Sequence, residues 1–433
     1  MAISIQTQPA VLQPVYQPAY CQVSSDKTAQ PQFRFVFDIY KNGVNVERVR
    51  MLPKPGTTIA IFSPTRVLES YLSYDLTVYN YNAVGQTNSL LQYQVQIGEE
   101  YGPTTAAPVV YSNLDRYSGM TFNGNVQYKS YYWGWAGALW TQYYMKFPIS
   151  SSGTFLTNAP YTQKVNLTDR GTISAFNFEI GDVSDAAILR ANGLEVTTYQ
   201  RSGGTTSSYA YFYYNTATTI SDKLIHFPYG PENINNITTS LWISGPTTNI
   251  IDEDRDLKYT LRLWNVSPLS GVNGVLNVAI SEYKEFEFQV CSKYDNVRLM
   301  FLNRLGAFDY FNFNKVSRST QNTERTTFKK NLPITYYYGT TVYDRETTVL
   351  NSMVNKTVTV NSDWVDDDTS TWLEELWSSP EVYEKQTDIY GNVIWAPIVI
   401  NTSSQEAKKR INDQIYNYTL EYTYATPTNI QRG

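Results

Sequence analysis

The sequence predicts a mostly-β protein built from several sandwich-like domains with a few short helices. Three observations carry that reading. Aromatics are abundant, with 37 Tyr, 18 Phe and 9 Trp, while charged residues make up only 17% of the chain; aromatic and β-branched residues suit pleated sheets better than helices. Turn signals recur every 8–15 residues through the middle of the chain, roughly 106–290, a spacing of short strands and not of βαβ units. Finally, 433 residues exceed what one ordinary core supports, so more than one domain is expected.

Residues 1–30 read as an extended N-terminal arm. Pro9, Pro14 and Pro18 follow one another at short intervals, and proline fixes φ and removes a donor, which favours open polyproline-type backbone. Val11, Leu12, Val15, Tyr16 and Tyr20 are more apolar than a solvated tail requires. Two readings stand side by side: a free tail, or an arm that orders by lying on another subunit through those five residues.

A first β domain is expected over 31–105. In FRFVFDIYKNG the alternation of Phe33, Phe35, Phe37 and Ile39 with more polar residues marks a half-buried strand, and Asn42-Gly43 marks a hairpin. A short helix follows, with Ser63 as its cap and Pro64 at its first turn; SLLQYQVQIGEEYG then returns to strand. The middle domain, 106–290, holds the densest aromatic stretch, in which Tyr131, Tyr132, Trp133, Trp135 and Trp140 are candidates for glycan or subunit contact. A C-terminal β-rich domain, 291–433, opens on LMFLNRLGAFDYFNFN. It continues with a polar, basic loop at 315–330 of local charge +4, from Lys315, Arg318, Arg325, Lys329 and Lys330 against Glu324. A short capped helix is expected at 371–378, where Thr371 and Glu374 have capping-box spacing and Pro380 ends the apolar stripe. A hairpin turning at Tyr390-Gly391-Asn392 follows, then a basic short helix at SQEAKKRIN and a last strand.

Catalytic chemistry finds little footing. The single histidine, His226, would have to serve any Ser-His or Cys-His arrangement, and it sits in KLIHFPYGPEN as a packed or surface residue would. One histidine and two cysteines, Cys21 and Cys291, offer no zinc or redox spacing. No phosphate-cradling glycine motif occurs. Asp252, Asp254 and Asp256 have the odd-position spacing of a calcium loop but lack its glycine and terminal glutamate. Asp366, Asp367 and Asp368 precede a helix, where negative charge is favourable without any metal. No catalytic residue, metal ligand or cofactor is therefore assigned. A net charge of −5 with both signs scattered argues against nucleic acid as the partner. The start, MAISIQTQPAV, lacks the pattern of a signal peptide, and no apolar run reaches the roughly 18 residues of a membrane span.

The stretch 299–314 reads as a fold motif and not as a site. Gly306 supplies a turn between two strands, Asn303 and Asp309 bond backbone near that turn, and Arg304 pairs with Asp309 or with a neighbouring chain. Four segments then resemble one family when taken together: FRFVFDIYKNG, LIHFPYGPENI, CSKYDNVRLMFLNRLGAFDYFNF, and WLEELWSSPEVYE followed by VIWAPIVIN. Their order and spacing are similar to structural tail proteins of tailed bacteriophages infecting Bacteroidota, of the crAss-like and flavobacterial type. Phe301 and Ala307 stand where that family's pattern has Trp and a second Gly. The resemblance implies a non-enzymatic virion protein of the tail, assembled in the host bacterial cytoplasm, with itself in a homo-oligomer and other phage tail proteins as partners. The alternatives are a receptor-binding protein that recognises host surface glycans through the 131–140 aromatics and, ranked lower, a glycosidase-like tail enzyme.

Overall fold

The computed structural model describes residues 3–17, 19–76, 84–85, 88–125, 155–176, 191, 193–203, 207–212, 224–237, 242–244, 250–267, 275–279, 281–289, 293–331, 345–402, 416–426 and 429–432. Strand accounts for 54% of the structure and three short helices for 8%, so the chain is mostly β. It divides into two compact units: Met1–Phe288 with Asn303–Phe308, and Gln289–Leu302 with Asp309–Gly433.

The first unit holds β1 (Ile3–Thr7), β2 (Leu12–Pro14), β3 (Cys21–Ser25), β4 (Arg34–Lys41), β5 (Val44–Met51), β6 (Ile59–Phe62), α1 (Thr65–Glu69), β7 (Val84–Gly85), β8 (Leu90–Tyr101) and β9 (Val109–Phe122). It continues with β10 (Thr162–Val165), β11 (Thr172–Phe176), β12 (Gly193–Gln200), β13 (Ser207–Phe212), β14 (Leu224–Pro228), α2 (Pro231–Asn235), β15 (Trp242–Ser244), β16 (Asp256–Ser267), β17 (Val275–Ala279) and β18 (Lys284–Phe288). Its sheets run β1-β3-β6, β2-β9-β8-β4-β5, β11-β14-β7, and β10-β18-β16-β12-β13-β15 with β17 beside β16. The expected β4–β5 hairpin forms, with Asn42 and Gly43 at φ 47° and 80° as its turn requires.

The first two sheets enclose one core, as in a sandwich. Cys21, Val23, Ala60 and Phe62 from the smaller sheet meet Phe35, Phe37, Ile39, Val95 and Ile97 from the larger. Phe37 and Phe62 stack at 4.3 Å between centroids. Residues 3–25 belong to this body and are not a free arm. β1 and β3 pair with one another, and β2 runs parallel to β9. Pro14 is accommodated because β2 is an edge strand, where a missing N–H costs no ladder bond. Leu12 and Val15 of the segment are buried within their own chain, whereas Tyr16 and Tyr20 remain exposed. The expected boundary at 105/106 also falls away, because β8 and β9 form one long hairpin across it. Ser63 does not cap α1; its hydroxyl accepts from the Ala19 N–H at 3.0 Å, and Pro64 takes the cap position without a side-chain bond.

The second unit holds β19 (Val297–Leu302), β20 (Phe308–Phe313), β21 (Arg318–Lys329), β22 (Thr347–Asn361), α3 (Asp367–Ser378), β23 (Val382–Thr387), β24 (Val393–Ile400), β25 (Thr419–Tyr424) and β26 (Asn429–Arg432). One sheet runs β20-β19-β23-β24-β25-β22-β21, with β26 also on β22. α3 begins four residues earlier than the capping-box spacing predicts, because Asp366 caps it by accepting from the Thr369 N–H at 2.9 Å. Asp367 and Asp368 sit in its first turn, where the helix dipole favours them. Trp372, Leu373 and Leu376 are buried, and Phe301 packs on Trp372 at 5.7 Å between centroids.

Trp372 Nε1 donates to the buried Asp309 Oδ2 at 2.8 Å. Replacing Trp372 with Phe keeps most of the ring's bulk and removes that donor. A loss of about 1–3 kcal/mol is expected in chemical denaturation, since a buried carboxylate loses a partner.

Candidate functional site

The most exposed regular element is β21. The sequence RSTQNTERTTFK has no apolar alternation, so neither face can claim a core, yet Thr at 320, 323, 326 and 327 favours extended backbone. The segment expected to be a basic loop is therefore a twelve-residue strand, paired along its whole length to β22. Every residue is exposed except Thr323, which is half-buried, and the outer edge of the strand closes the sheet order. Arg318, Glu324, Arg325, Lys329 and Lys330 make no ion pair among the described residues, whereas Lys315 pairs with Asp363 at 3.1 Å. Long strands with open edges invite pairing, and proteins guard them with proline, bulges, charged side chains or brevity. β21 has no proline and is long, but it carries Arg318, Glu324, Arg325 and Lys329 and its ladder with β22 is irregular at Thr326/Thr327, so a partner strand has to answer those charges.

A second exposed feature lies at the β23–β24 turn. Asp388 accepts from the N–H of Tyr390 at 2.8 Å, from the N–H of Asn392 at 2.7 Å and from Asn392 Nδ2 at 3.0 Å. These bonds, the Asn392 side chain first, hold its carboxyl below the usual range. The turn so fixed presents Ile389 and Tyr390 at 91% and 82% exposure. The sequence reading located this turn but not its two apolar side chains as a contact feature; an apolar pair inside turn chemistry was the available signal.

Asn303, Arg304 and Gly306 lie in a turn that belongs to the first unit. Asn303 Oδ1 accepts from the N–H groups of Leu305 and Ala307, both at 3.0 Å, and Asn303 Nδ2 donates to the Leu156 carbonyl at 2.9 Å. The Arg304 carbonyl accepts from the Asn125 N–H at 2.7 Å. Leu305 and Ala307 enter a core cluster with Leu12, Met120, Phe122, Leu156, Phe176 and Leu224. Gly306 sits at φ 79°, and an added Cβ would fall on the Asn123 carbonyl oxygen. The motif thus organises the first unit, where the sequence reading gave it to the C-terminal domain. Asp309, beyond the turn, belongs to the second unit and accepts from Trp372 instead of bonding the turn backbone.

His226 lies on β14 opposite Ser174 on β11, is 2% exposed, and shares a hydrogen bond through Nδ1 with the Ser174 hydroxyl. Burial lowers its pKa from 6.5 to about 3, against the opposing pull of Asp75. Its Nε2 has no partner among the described residues. Buried on both counts, the pair has the geometry of packing and no open side for a substrate. Burial likewise pushes the Cys21 thiol up to about 12, with Asp115 adding to it, the reverse of an activated nucleophile. The calcium-like spacing also resolves into local bonding: Asp252 Oδ1 accepts from the Asp254 N–H, and Asp256 is fully buried against Arg255 at 2.7 Å. No group of metal-ligating residues occurs among the described residues, and no described helix is long and apolar enough to cross a membrane.

Of the arm residues, Leu12 and Val15 are 2% exposed within their own chain, Val11 is half-buried, and Tyr16 and Tyr20 remain exposed. Tyr131, Tyr132, Trp133, Trp135 and Trp140 lie outside the described residues, as does the expected helix at SQEAKKRIN. No protein-family model matches the chain, and no curated protein matches it.

Proposed function

We propose that the chain is a non-enzymatic structural subunit of a bacteriophage tail, a ring, hub or tip component that oligomerises and binds other tail proteins. The observation that carries this reading is β21: twelve strand residues at the edge of an eight-stranded sheet, with both faces exposed and no further partner strand among the described residues. An isolated subunit gains nothing from leaving such an edge unpaired, whereas an assembling one gains a contact whose main-chain bonds set its geometry. The preorganised Ile389-Tyr390 tip adds a second contact feature of modest area, suited to a neighbouring protein. The sequence resemblance to tail proteins supplies the place of assembly. Quantitative mass spectrometry of purified particles tests the reading. The chain is expected in several copies per particle in a fixed ratio to other tail proteins; its absence from particles overturns the proposal.

A further inference from the structure

The first unit has an exposed edge strand too. β5 closes the five-stranded sheet opposite β2, and its Val44, Asn45, Glu47, Arg48 and Arg50 are exposed. Arg48 and Arg50 are held from within, by Asp38 at 2.6 Å and Glu100 at 2.5 Å. Glu47 has no ion partner among the described residues, as Arg325 and Glu324 on β21 have none.

We propose that β21 of one copy pairs antiparallel with β5 of the next, joining the two edges into one continuous sheet across the contact. The occupant of the β21 edge is thus a second copy of this chain, and charge pattern selects it. In the register that places Glu47 opposite Arg325 and Arg48 opposite Glu324, Val49 faces Thr323, Arg50 faces Asn322 and Met51 faces Gln321. Both charges at the centre of β21 meet opposite charges, no like charges face each other along β5, and Thr323, the half-buried position of β21, faces Val49, one of three half-buried positions of β5 with Val46 and Met51. Cross-strand pairs of this kind are the unit of sheet stabilisation, and like charges directly opposite destabilise. Exposed Val44 and Phe328 fall at the same end of the contact. Because the two edges are different surfaces, the contact is head-to-tail. It propagates from copy to copy and closes into a ring where the rotation permits.

This deepens the structural reading above and rests on it, and the test separates the two. Glu47→Arg and Arg325→Glu are each made singly and together in the full chain, and oligomer size is read by sedimentation as a function of concentration. Both side chains are exposed, and circular dichroism and thermal melts are expected to match the wild type in all three variants. Each single variant sets like charges face to face, and about tenfold weaker association is expected. The double variant restores opposite charges and is expected to recover assembly. Single variants that assemble like the wild type, or a double variant no better than its parents, overturn the β5–β21 contact. In that event particles that still contain the chain in fixed copy number leave the structural reading standing, whereas particles that lack it remove both.

Discussion

Gly306→Val is expected to lower stability by about 3–5 kcal/mol, a large share of the roughly 5–15 kcal/mol by which folded proteins are stable. Two costs combine. The residue occupies φ 79°, where an L side chain is strained by roughly 1–2 kcal/mol. An added Cβ also lands on the Asn123 carbonyl oxygen, a backbone atom that a rotamer change cannot move. The turn is fixed from both sides, by Asn303 bonded to Leu156 and by Leu305 and Ala307 packed in the core cluster. Gly391 provides the contrast: it has φ 84° but open space around it, so Gly391→Ala there is strained without a clash. Chemical denaturation of both variants checks the account, with the larger loss expected at 306.

The second large effect is acid sensitivity through His226. Its folded pKa of about 3 lies below the ordinary 6.5 because burial penalises the imidazolium. Below pH 6.5 the unfolded chain therefore binds a proton that the folded chain refuses. Stability from this group is fully present above about pH 6.5 and is lost as pH falls toward 3, by on the order of 4–5 kcal/mol in all. Since the chain has one histidine, its imidazole resonances report directly. They are expected to stay in the neutral position down to about pH 4, until unfolding intervenes. Denaturant unfolding at several pH values provides the energetic counterpart: His226→Gln should remove about one proton from the acid-side slope.

Local chemistry was legible wherever one residue type had one use. The Asn42-Gly43 hairpin and the Tyr390-Gly391-Asn392 turn follow from positive φ, and the apolar stripe of α3 follows from helical spacing. What the sequence hid were choices between partners of similar chemistry. The capping box at Thr371 competed with Asp366, and the earlier cap prevailed because residues 367–370 also continue the helix. Residues 3–25 are apolar enough to pack on something. Whether that was their own body or another subunit depended on long-range pairing of β1 with β3 and β2 with β9, which no local pattern records.

β21 was hidden for a different reason. Period-2 alternation signals a strand only when one face is buried. A ribbon solvated on both faces has nothing to alternate, so its Thr content was the remaining mark. The same property that concealed the strand makes it the strongest candidate for contact. Conversely, the stretch 299–314 gathers aromatics, Arg304 and Asp309 yet reads as a fold motif in the sequence. The structure assigns them to turn bonding, core packing and the Trp372–Asp309 hydrogen bond.

The central claim is that this chain is an assembling component of a tail. A reconstruction of intact particles by electron cryomicroscopy tests it most directly. The account predicts density for the eight-stranded sheet repeated around the tail axis, with β21 of each copy in contact with a neighbouring copy. Tails without that density, or with each copy's β21 facing only solvent, would contradict it.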